Sequence, residues 1–519
     1  MALSVKSWRR RIVINGLRTC WLLITCWYEY GIFLYSAAKC GWPLMDVSFF
    51  FLTNQQDPKH VLLIADPQII DKRSYPGRPA LLTYISQLIV DLNLRKNWRA
   101  ALRSAPDVVF FLGDYMDSGR AVMSDAEYER YVNRFMNIFS MDSKIPRYYI
   151  PGNHDVGLGP SVLFSPHART RYTSHFGPLN SRVSVANHTF VLIDAPGLVE
   201  EDYKRHGLGK TYDKWNALPG KTVDFVKSFV DGVYSENSTG NTEPTILLSH
   251  IPLSRPEGSN CGPLRERGTI RRGVGLGYQN TLGKDSSTFL LEHLRPTLIF
   301  SGDDHDYCEV QIYGIREVTV KSLSMAMGIK KPGYQMLSLV PPGSSAISHT
   351  DAPCVLPDQL RIYLNVYIPL ALISLAVVLI ACIVRGQHYR RWSFRIMSHT
   401  KRKSRESTKP SAPRHFRTPT RTRIAMDEYG FTLDDSDTDQ RLPPPASASV
   451  PTKNTFLPVF SPGRILLRGL ILSQSLAIAI VSSGRRGGLF GDFLGDVRDV
   501  AMFPIGIIFL ISFWTFLDI

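Results

Sequence analysis

Five short polar motifs, each closing an apolar run, constrain this chain more than any other feature. They read VLLIADPQ (61–68), VVFFLGDYMD (108–117), YYIPGNHD (148–155), ILLSH (246–250) and LIFSGDDHD (298–306). An apolar run of four to six residues that stops at Gly, Pro or Asp has the pattern of a buried strand. Each strand then delivers carboxylate, amide or imidazole groups at its C-terminal end, the edge where open α/β sheets build their sites. One such motif is an ordinary turn or helix cap. Five in this order point to a single centre that binds two metal ions. Asp114 follows a strand and a glycine, and one carboxylate between two cations holds them a few ångströms apart, so Asp114 is the expected bridge. A water between those cations would lose its proton near neutral pH and attack phosphorus in line.

The order and spacing resemble the calcineurin-like metallophosphoesterases, whose pattern runs D-x-H, G-D-x-x-D, G-N-H-D/E, H, G-H-x-H. The resemblance covers about residues 57–340 and is carried by Asp66, Asp114, Asn153, His154, His250 and His305. It implies an α/β fold, a two-sheet sandwich flanked by helices. It assigns Asp66, Gln68 and His305 to the first metal, and Asn153, His250 and Asp303 to the second. His154 follows a metal-binding Asn, so its ring is expected to face the leaving oxygen as general acid. Asp117 resembles the acid that orients this His and raises its pKa.

Two positions depart from the family pattern. Gln68 stands where a metal-binding His is usual, and Asp303 replaces the first His of G-H-x-H. Both exchange a nitrogen ligand for an oxygen ligand, which favours hard ions such as Mn²⁺ or Mg²⁺ over Zn²⁺. The expected cofactors are therefore two divalent ions, with Mn²⁺ foremost. Gln68 either binds metal or only packs and hydrogen-bonds beside it. The D-P-Q and G-D-D-H-D-Y-C spellings are similar to the fungal endoplasmic-reticulum branch that remodels glycosylphosphatidylinositol (GPI) anchors. Those cell-division-control and post-GPI-attachment phosphodiesterases clip ethanolamine phosphate from GPI mannose, so the resemblance implies that activity and a lipid-linked GPI glycan as partner. The alternative is a non-catalytic GPI-protein binding or sorting factor on the same scaffold. A decayed site would lose its acid and its bridge first, and His154, Asp114 and Asp117 are all kept. A soluble-type Ser/Thr phosphatase, echoed in GDYMDSG, conflicts with the topology below.

Membrane segments frame this region. Residues 21–42 are aromatic-rich and follow Arg9, Arg10, Arg11 and Arg18, the pattern of an uncleaved anchor within a basic cytosolic N-terminus at 1–56. Glu29 inside it is costly and is expected to meet another helix or the interface. Residues 362–384 are uncharged and long enough to span, with Arg385, Arg390, Arg391 and Arg395 following at once. The positive-inside rule puts both basic flanks in the cytosol and the domain at 57–350 in the lumen. The sequons at Asn187 and Asn237 fall inside that luminal stretch. Between Arg385 and Arg423 there are thirteen Lys or Arg against one acid, Glu406, a large share of the net +15. Directly beside a span, such a run sets topology and meets anionic lipid rather than nucleic acid. With its Ser, Thr and Pro content, 385–460 reads as a disordered cytosolic loop. In the C-terminal part, 465–519, residues 465–483 and 500–517 are shorter candidate spans. Both spanning gives four membrane helices; the first lying on the surface gives three.

Inside the domain, helices are expected near 79–103, 124–140 and 219–232. Strands are expected at 61–65, 108–112, 147–150, 189–193, 245–249 and 297–300, with a second sheet from 309–313, 316–320 and 334–340. Cys20, Cys26 and Cys382 lie in or beside membrane segments, while Cys40 and Cys354 sit near luminal ends. Cys261 and Cys308 follow two expected ligands closely, so they either pair or stay two buried thiols. The loop 251–278 carries Arg255, Arg265, Arg267, Arg271 and Arg272, either a clamp for a second phosphate or headgroup, or a solvated basic loop.

Overall fold

The apolar runs are strands because both of their faces are covered. In β1 (Lys59–Ile64), Leu62 and Ile64 pack on one side while Val61 and Leu63 pack on the other, so the run carries no polar alternation. The computed structural model describes residues 2–44, 57–159, 164–235, 243–342, 348–405 and 488–517. β1 runs parallel to β2 (Val108–Phe111), and β2 parallel to β3 (Arg147–Tyr149). A second sheet starts with the hairpin β4 (Ser181–Val185) and β5 (His188–Leu192) and continues in parallel to β6 (Thr245–Ser249). The two-residue strands β7 (Val274–Gly275) and β8 (Tyr278–Gln279) form a separate hairpin. β9 (Leu298–Ser301) lies parallel to β6, and the hairpin β10 (Cys308–Ile312) and β11 (Ile315–Thr319) completes the second sheet through β11. The chain then returns: β12 (Gly333–Leu339) pairs antiparallel with β1, and β13 (His349–Val355) antiparallel with β12. The strand orders are β13-β12-β1-β2-β3 and β10-β11-β9-β6-β5-β4.

The two sheets share one apolar layer, in which Val61, Leu63 and Phe110 meet Phe190, Ile246, Leu248 and Phe300. Phe110 and Phe190 stack with ring centroids 4.6 Å apart. The helices are α1 (Ala2–Cys26), α2 (Ile32–Lys39), α3 (Ala80–Leu102), α4 (Asp125–Ile138), α5 (Asn153–Val156), α6 (Ala168–Phe176), α7 (Ala195–Gly207), α8 (Thr222–Ser235) and α9 (Lys284–Leu294). They are followed by α10 (Gln359–Ile362), α11 (Ile368–Arg405) and α12 (Leu489–Leu517). Helices α3, α4 and α6 cover the outer face of the first sheet, and α7, α8 and α9 that of the second. This is the four-layer form of a mixed α/β fold.

The expected helices and strands are present with shifts of a few residues at their ends. One assignment is corrected. The strand near 334–340 belongs to the first sheet beside β1, and the hairpin 308–319 shares its sheet with β6 and β9. Sequence order places late strands together, whereas here the chain crosses back between the sheets. The sequence reading also omitted α6, α7, α9, β4 and β13.

Among the described residues, Gln359–His388 is the one helix long and apolar enough to cross a membrane. It runs through α10, a π-helical segment Tyr363–Tyr367 and the start of α11. Helix α11 continues to Arg405, so the first part of the expected disordered loop is helical; residues 406–460 and 465–483 lie outside the described residues. The stretch 500–517 falls within α12. Residues 2–10, 377–405 and 488–498 form a compact unit of their own, and within it Asp496 pairs with Arg10 and Arg385.

Residues 21–42 fall on α1, a second π-helical segment Trp27–Gly31, and α2. Glu29 does meet other helices. It accepts from Lys96 Nζ of α3 at 2.8 Å and from the Tyr367 hydroxyl at 2.7 Å, while Lys96 also donates to Gln359 Oε1 at 3.0 Å. Burial draws the Lys96 pKa down, and Glu29 pulls against it. Removing one partner of a buried pair leaves an uncompensated charge, which costs about 3–5 kcal/mol. Lys96→Met should therefore lower the unfolding midpoint in detergent strongly, and Lys96→Met with Glu29→Leu should recover most of the loss. A single variant as stable as the wild type would contradict the role of this pair.

Candidate dinuclear metal centre

Each motif ends where its strand ends, and the chain turns there in an unusual way. Asp66, Gln68, Asp114, Asp303 and His305 all have positive φ, between 36° and 67°. They are half of the ten non-glycine residues in that region among those described. A left-handed backbone at a non-glycine residue costs on the order of 1–3 kcal/mol, and it persists only where surrounding structure enforces it. Here it aims five side chains into the gap where β1 and β2 of one sheet meet β6 and β9 of the other. Gly113 and Gly152 are required by close approach, since a Cβ on the first would collide with the His250 ring and on the second with the Asp114 carboxylate.

Two groups of ligand atoms result. Asp66, Asp114 and His305 place atoms within 4.8 Å of one another, and so do Asp114, His250 and Asp303. Asp114 belongs to both. His250 donates through Nδ1 to the Leu112 carbonyl at 2.7 Å, which fixes the tautomer and turns Nε2 inward. That Nε2 lies 3.4 Å from Asp114 Oδ1, 3.5 Å from Asp303 Oδ1 and 3.1 Å from Asn153 Oδ1. Asn153 is oriented by donating Nδ2 to the Gly277 carbonyl at 2.8 Å, which leaves its oxygen toward the centre. Six of the seven residues expected as ligands, Asp66, Asp114, Asn153, His250, Asp303 and His305, are thus brought together.

The two amide atoms of Gln68 are used differently. Nε2 donates to Asp117 Oδ1 at 3.0 Å, while Oε1 is buried without a hydrogen-bond partner. A buried carbonyl oxygen without a partner is available to a cation, so Gln68 has a free donor atom of the kind expected of it. The same bond corrects the reading of Asp117. His154 Nδ1 lies 2.6 Å from the Asp117 main-chain oxygen and 3.4 Å from its carboxylate. Asp117 therefore holds His154 chiefly through its backbone, and its carboxylate orients Gln68. The His154 N–H donates to Asp114 Oδ1 at 2.9 Å, tying the candidate acid to the shared carboxylate.

The electrostatics suit cations. Burial pushes the Asp66 carboxyl well above its usual range, with His250 opposing and Asp114 and Asp303 adding to it. Burial also works against a charge on His250, but Asp114 and Asp303 outweigh it and hold the ring far above the ordinary imidazole value. Burial likewise opposes ionisation of Asp114, yet His250 and His154 keep its carboxyl well below the carboxylate range. Burial lowers His305, despite Asp303 and Asp114, toward the neutral ring that coordinates metal.

Three supporting residues were not singled out from the sequence. Asp155, the last letter of GNHD, accepts from the N–H groups of Asp114, Tyr115 and Gly152 at 2.8, 2.9 and 2.9 Å, which fixes the Asp114 turn. Burial and the Asp114 charge push its carboxyl up to about 7. Arg120 donates Nη1 to the carbonyls of Asn153 and Gly277 at 3.0 and 2.7 Å, so it clamps the β7–β8 turn against a candidate ligand. Ser322 donates Oγ to the Asp66 carbonyl at 2.7 Å and its N–H to the His305 carbonyl at 2.8 Å. Only Asp155 had a motif signal. Of the loop arginines, Arg255 is buried against Glu317 at 2.8 Å and Arg265 pairs with Asp304, so these two are structural; Arg271 and Arg272 are exposed. Cys261 and Cys308 form a disulfide, as do Cys40 and Cys354, a pairing the sequence reading did not make.

The calcineurin-like phosphoesterase family model matches residues 59–307. Cell division control protein 1 of Saccharomyces cerevisiae is 33% identical over 369 residues, covering 66% of this chain and 70% of the yeast protein. The Metallophosphoesterase 1 homolog of Drosophila melanogaster is 26% identical over 374 residues, covering 70% of this chain and 92% of the fly protein. Convergent carboxylates and imidazoles on strand ends thus go with a family match over residues 59–307 and a relative one-third identical, and the chain belongs to the calcineurin-like phosphoesterases, metal-dependent hydrolases.

Proposed function

We propose that this protein is a membrane-anchored phosphodiesterase that removes ethanolamine phosphate from a mannose of GPI anchors in the endoplasmic reticulum lumen. The observation that carries the dinuclear reading is the sharing of Asp114 between two ligand groups. Two divalent cations, when bound, would activate water and neutralise the phosphate. Asp66, Gln68 and His305 would hold one, Asn153, His250 and Asp303 the other, and Asp114 both. His154 has Nδ1 engaged by Asp117, so Nε2 is the atom that would give a proton to the leaving oxygen. The substrate assignment leans on the likeness to the yeast protein and on the D-P-Q and G-D-D-H-D-Y-C spellings. Two disulfides support an oxidising compartment. Asn187 is exposed in the β4–β5 turn, where a glycan fits. Four membrane helices, at about 21–42, 362–384, 465–483 and 500–517, would put the domain in the lumen and both chain ends in the cytosol.

The direct test is purified protein with Mn²⁺ and a GPI bearing ethanolamine phosphate, read by mass spectrometry; no loss of that group would defeat the substrate assignment. Asp114→Asn should abolish turnover while the protein remains folded. His154→Ala should slow it roughly a hundred-fold or more, the size of a lost general acid.

The ligand set also sets the metal. One neutral amide oxygen at Gln68 is a weak donor, whereas Asp303 adds charge at the other position. Mild chelation should remove activity and Mn²⁺ should restore it more fully than Zn²⁺. Gln68→His should tighten the weaker site. Two tightly held zinc ions in the wild-type protein would overturn this account of the metals.

Topology is tested separately in intact microsomes. Asn187→Gln should remove an endoglycosidase-sensitive mass shift, and an epitope between Lys401 and Arg423 should be open to added protease. A protected epitope with no glycan would put the domain on the other side.

A further inference from the structure

Helix α3 carries one face that is half covered and half bare. Leu81, Ile85, Leu88, Leu92, Lys96 and Arg103 recur at intervals of three, four and seven, so they lie along one side of the helix. The opposite side, with Val90, Leu94, Trp98 and Ala101, is buried in the core of the first sheet. At the C-terminal end, the outward face is packed against the anchor segment. Lys96 meets Glu29 and lies over the Phe33 ring at 4.9 Å, and Arg103 donates to the Tyr30 hydroxyl at 3.2 Å. At the N-terminal end the same face is uncovered and apolar: Leu81, Ile85 and Leu88 are 72%, 41% and 45% exposed, with Leu82 and Tyr84 beside them at 49% and 60%. A run of large apolar side chains at this exposure on a soluble surface marks an interaction site.

We propose that the first three turns of α3 lie in the bilayer interface, with Leu81, Tyr84, Ile85 and Leu88 in contact with lipid. The argument is continuity. The bare stripe extends from a contact with the anchor segment, and that segment and Tyr363–Tyr367 carry Trp27, Tyr28, Tyr30, Tyr35, Tyr363 and Tyr367, the aromatic residues that gather at membrane surfaces. A helix that starts from such a contact, core-facing on one side and bare and apolar on the other, has the form of an interfacial amphipathic helix. Twelve residues of helix give it about 18 Å along the surface. Because α3 follows the loop that carries Asp66 and Gln68, its N-terminal end stands at the catalytic edge of the sheet. The stripe would therefore hold the metal centre close to lipid-linked substrate instead of leaving it to tumble on a tether. The inference rests on the membrane-anchored reading, and its test separates the two.

The full-length protein in nanodiscs, with photoreactive benzoyl-phenylalanine replacing Ile85, Leu88 or, as a control in the spanning helix, Leu372, is irradiated and analysed by mass spectrometry. Lipid adducts at all three positions are expected. Adducts at Leu372 alone, or crosslinks from Ile85 and Leu88 to the chain's own residues or a second copy, overturn the interfacial helix and leave the anchor intact. No lipid adduct anywhere overturns both. A second arm uses Ile85→Lys with Leu88→Lys. Turnover of a GPI in nanodiscs should fall roughly ten-fold, while turnover of the water-soluble bis(p-nitrophenyl) phosphate stays unchanged; equal rates, or equal losses, on both substrates overturn the proposal.

Discussion

Two buried carboxylates, Asp66 and Asp114, and the half-buried Asp303 are forced into one small space, and much of the domain is arranged to keep them there. Burial pushes the Asp66 carboxyl well above its usual range, and Asp114 and Asp303, against burial, hold the His250 ring well above the ordinary imidazole value. Two cations resolve the conflict better than two protons, because each can satisfy several oxygens at once. The unpartnered Gln68 oxygen belongs to the same argument, as a donor atom buried with nothing yet to bind.

What opposes the repulsion is backbone geometry. Positive φ at five ligand positions and close passage at Gly113 and Gly152 are local costs, and the layers behind them supply the compensation. Asp155 is the clearest case: one carboxylate gathers three N–H groups from two strand ends and so locks the Asp114 turn to the Asn153 turn. Arg120 does the same from the outer side, joining Asn153 to the β7–β8 turn through main-chain oxygens. Ligands fixed this way need little rearrangement when the cations arrive, which is how a preformed site keeps its geometry.

The ligand residues were legible in the sequence because a strand end followed by Asp, Asn or His leaves a local signature. Residues that act across the fold leave none. Arg120 and Ser322 look like ordinary turn residues, and their partners lie far away in sequence. Asp117 was misread for a related reason: its motif position says that it sits beside His154, but not that its backbone oxygen makes the closer bond while its carboxylate turns to Gln68. The return of β12 to the first sheet was missed because adjacency in sequence favours hairpins, whereas register with β1 is decided by the layer that Leu337 and Leu339 fill together with Val61 and Leu63. The Cys40–Cys354 bond spans 314 positions, and only the fold brings its ends together.

The helical segment around Glu29 and the candidate centre are joined by a short chain of contacts through α3. Lys96 faces outward to Glu29, and the next residue, Asn97, faces inward and donates to the Leu323 carbonyl at 2.8 Å. The Leu323 N–H in turn donates to the Ala65 carbonyl at 3.0 Å, one residue before Asp66, while Ser322 holds both Asp66 and His305. Each link is a hydrogen bond between buried groups, so none is loosened by solvent exchange. The first ligand group is consequently fixed with respect to the anchor segment as well as to the sheet. A site tied in this way keeps its orientation relative to that segment, and substrate binding need not supply the free energy to order it.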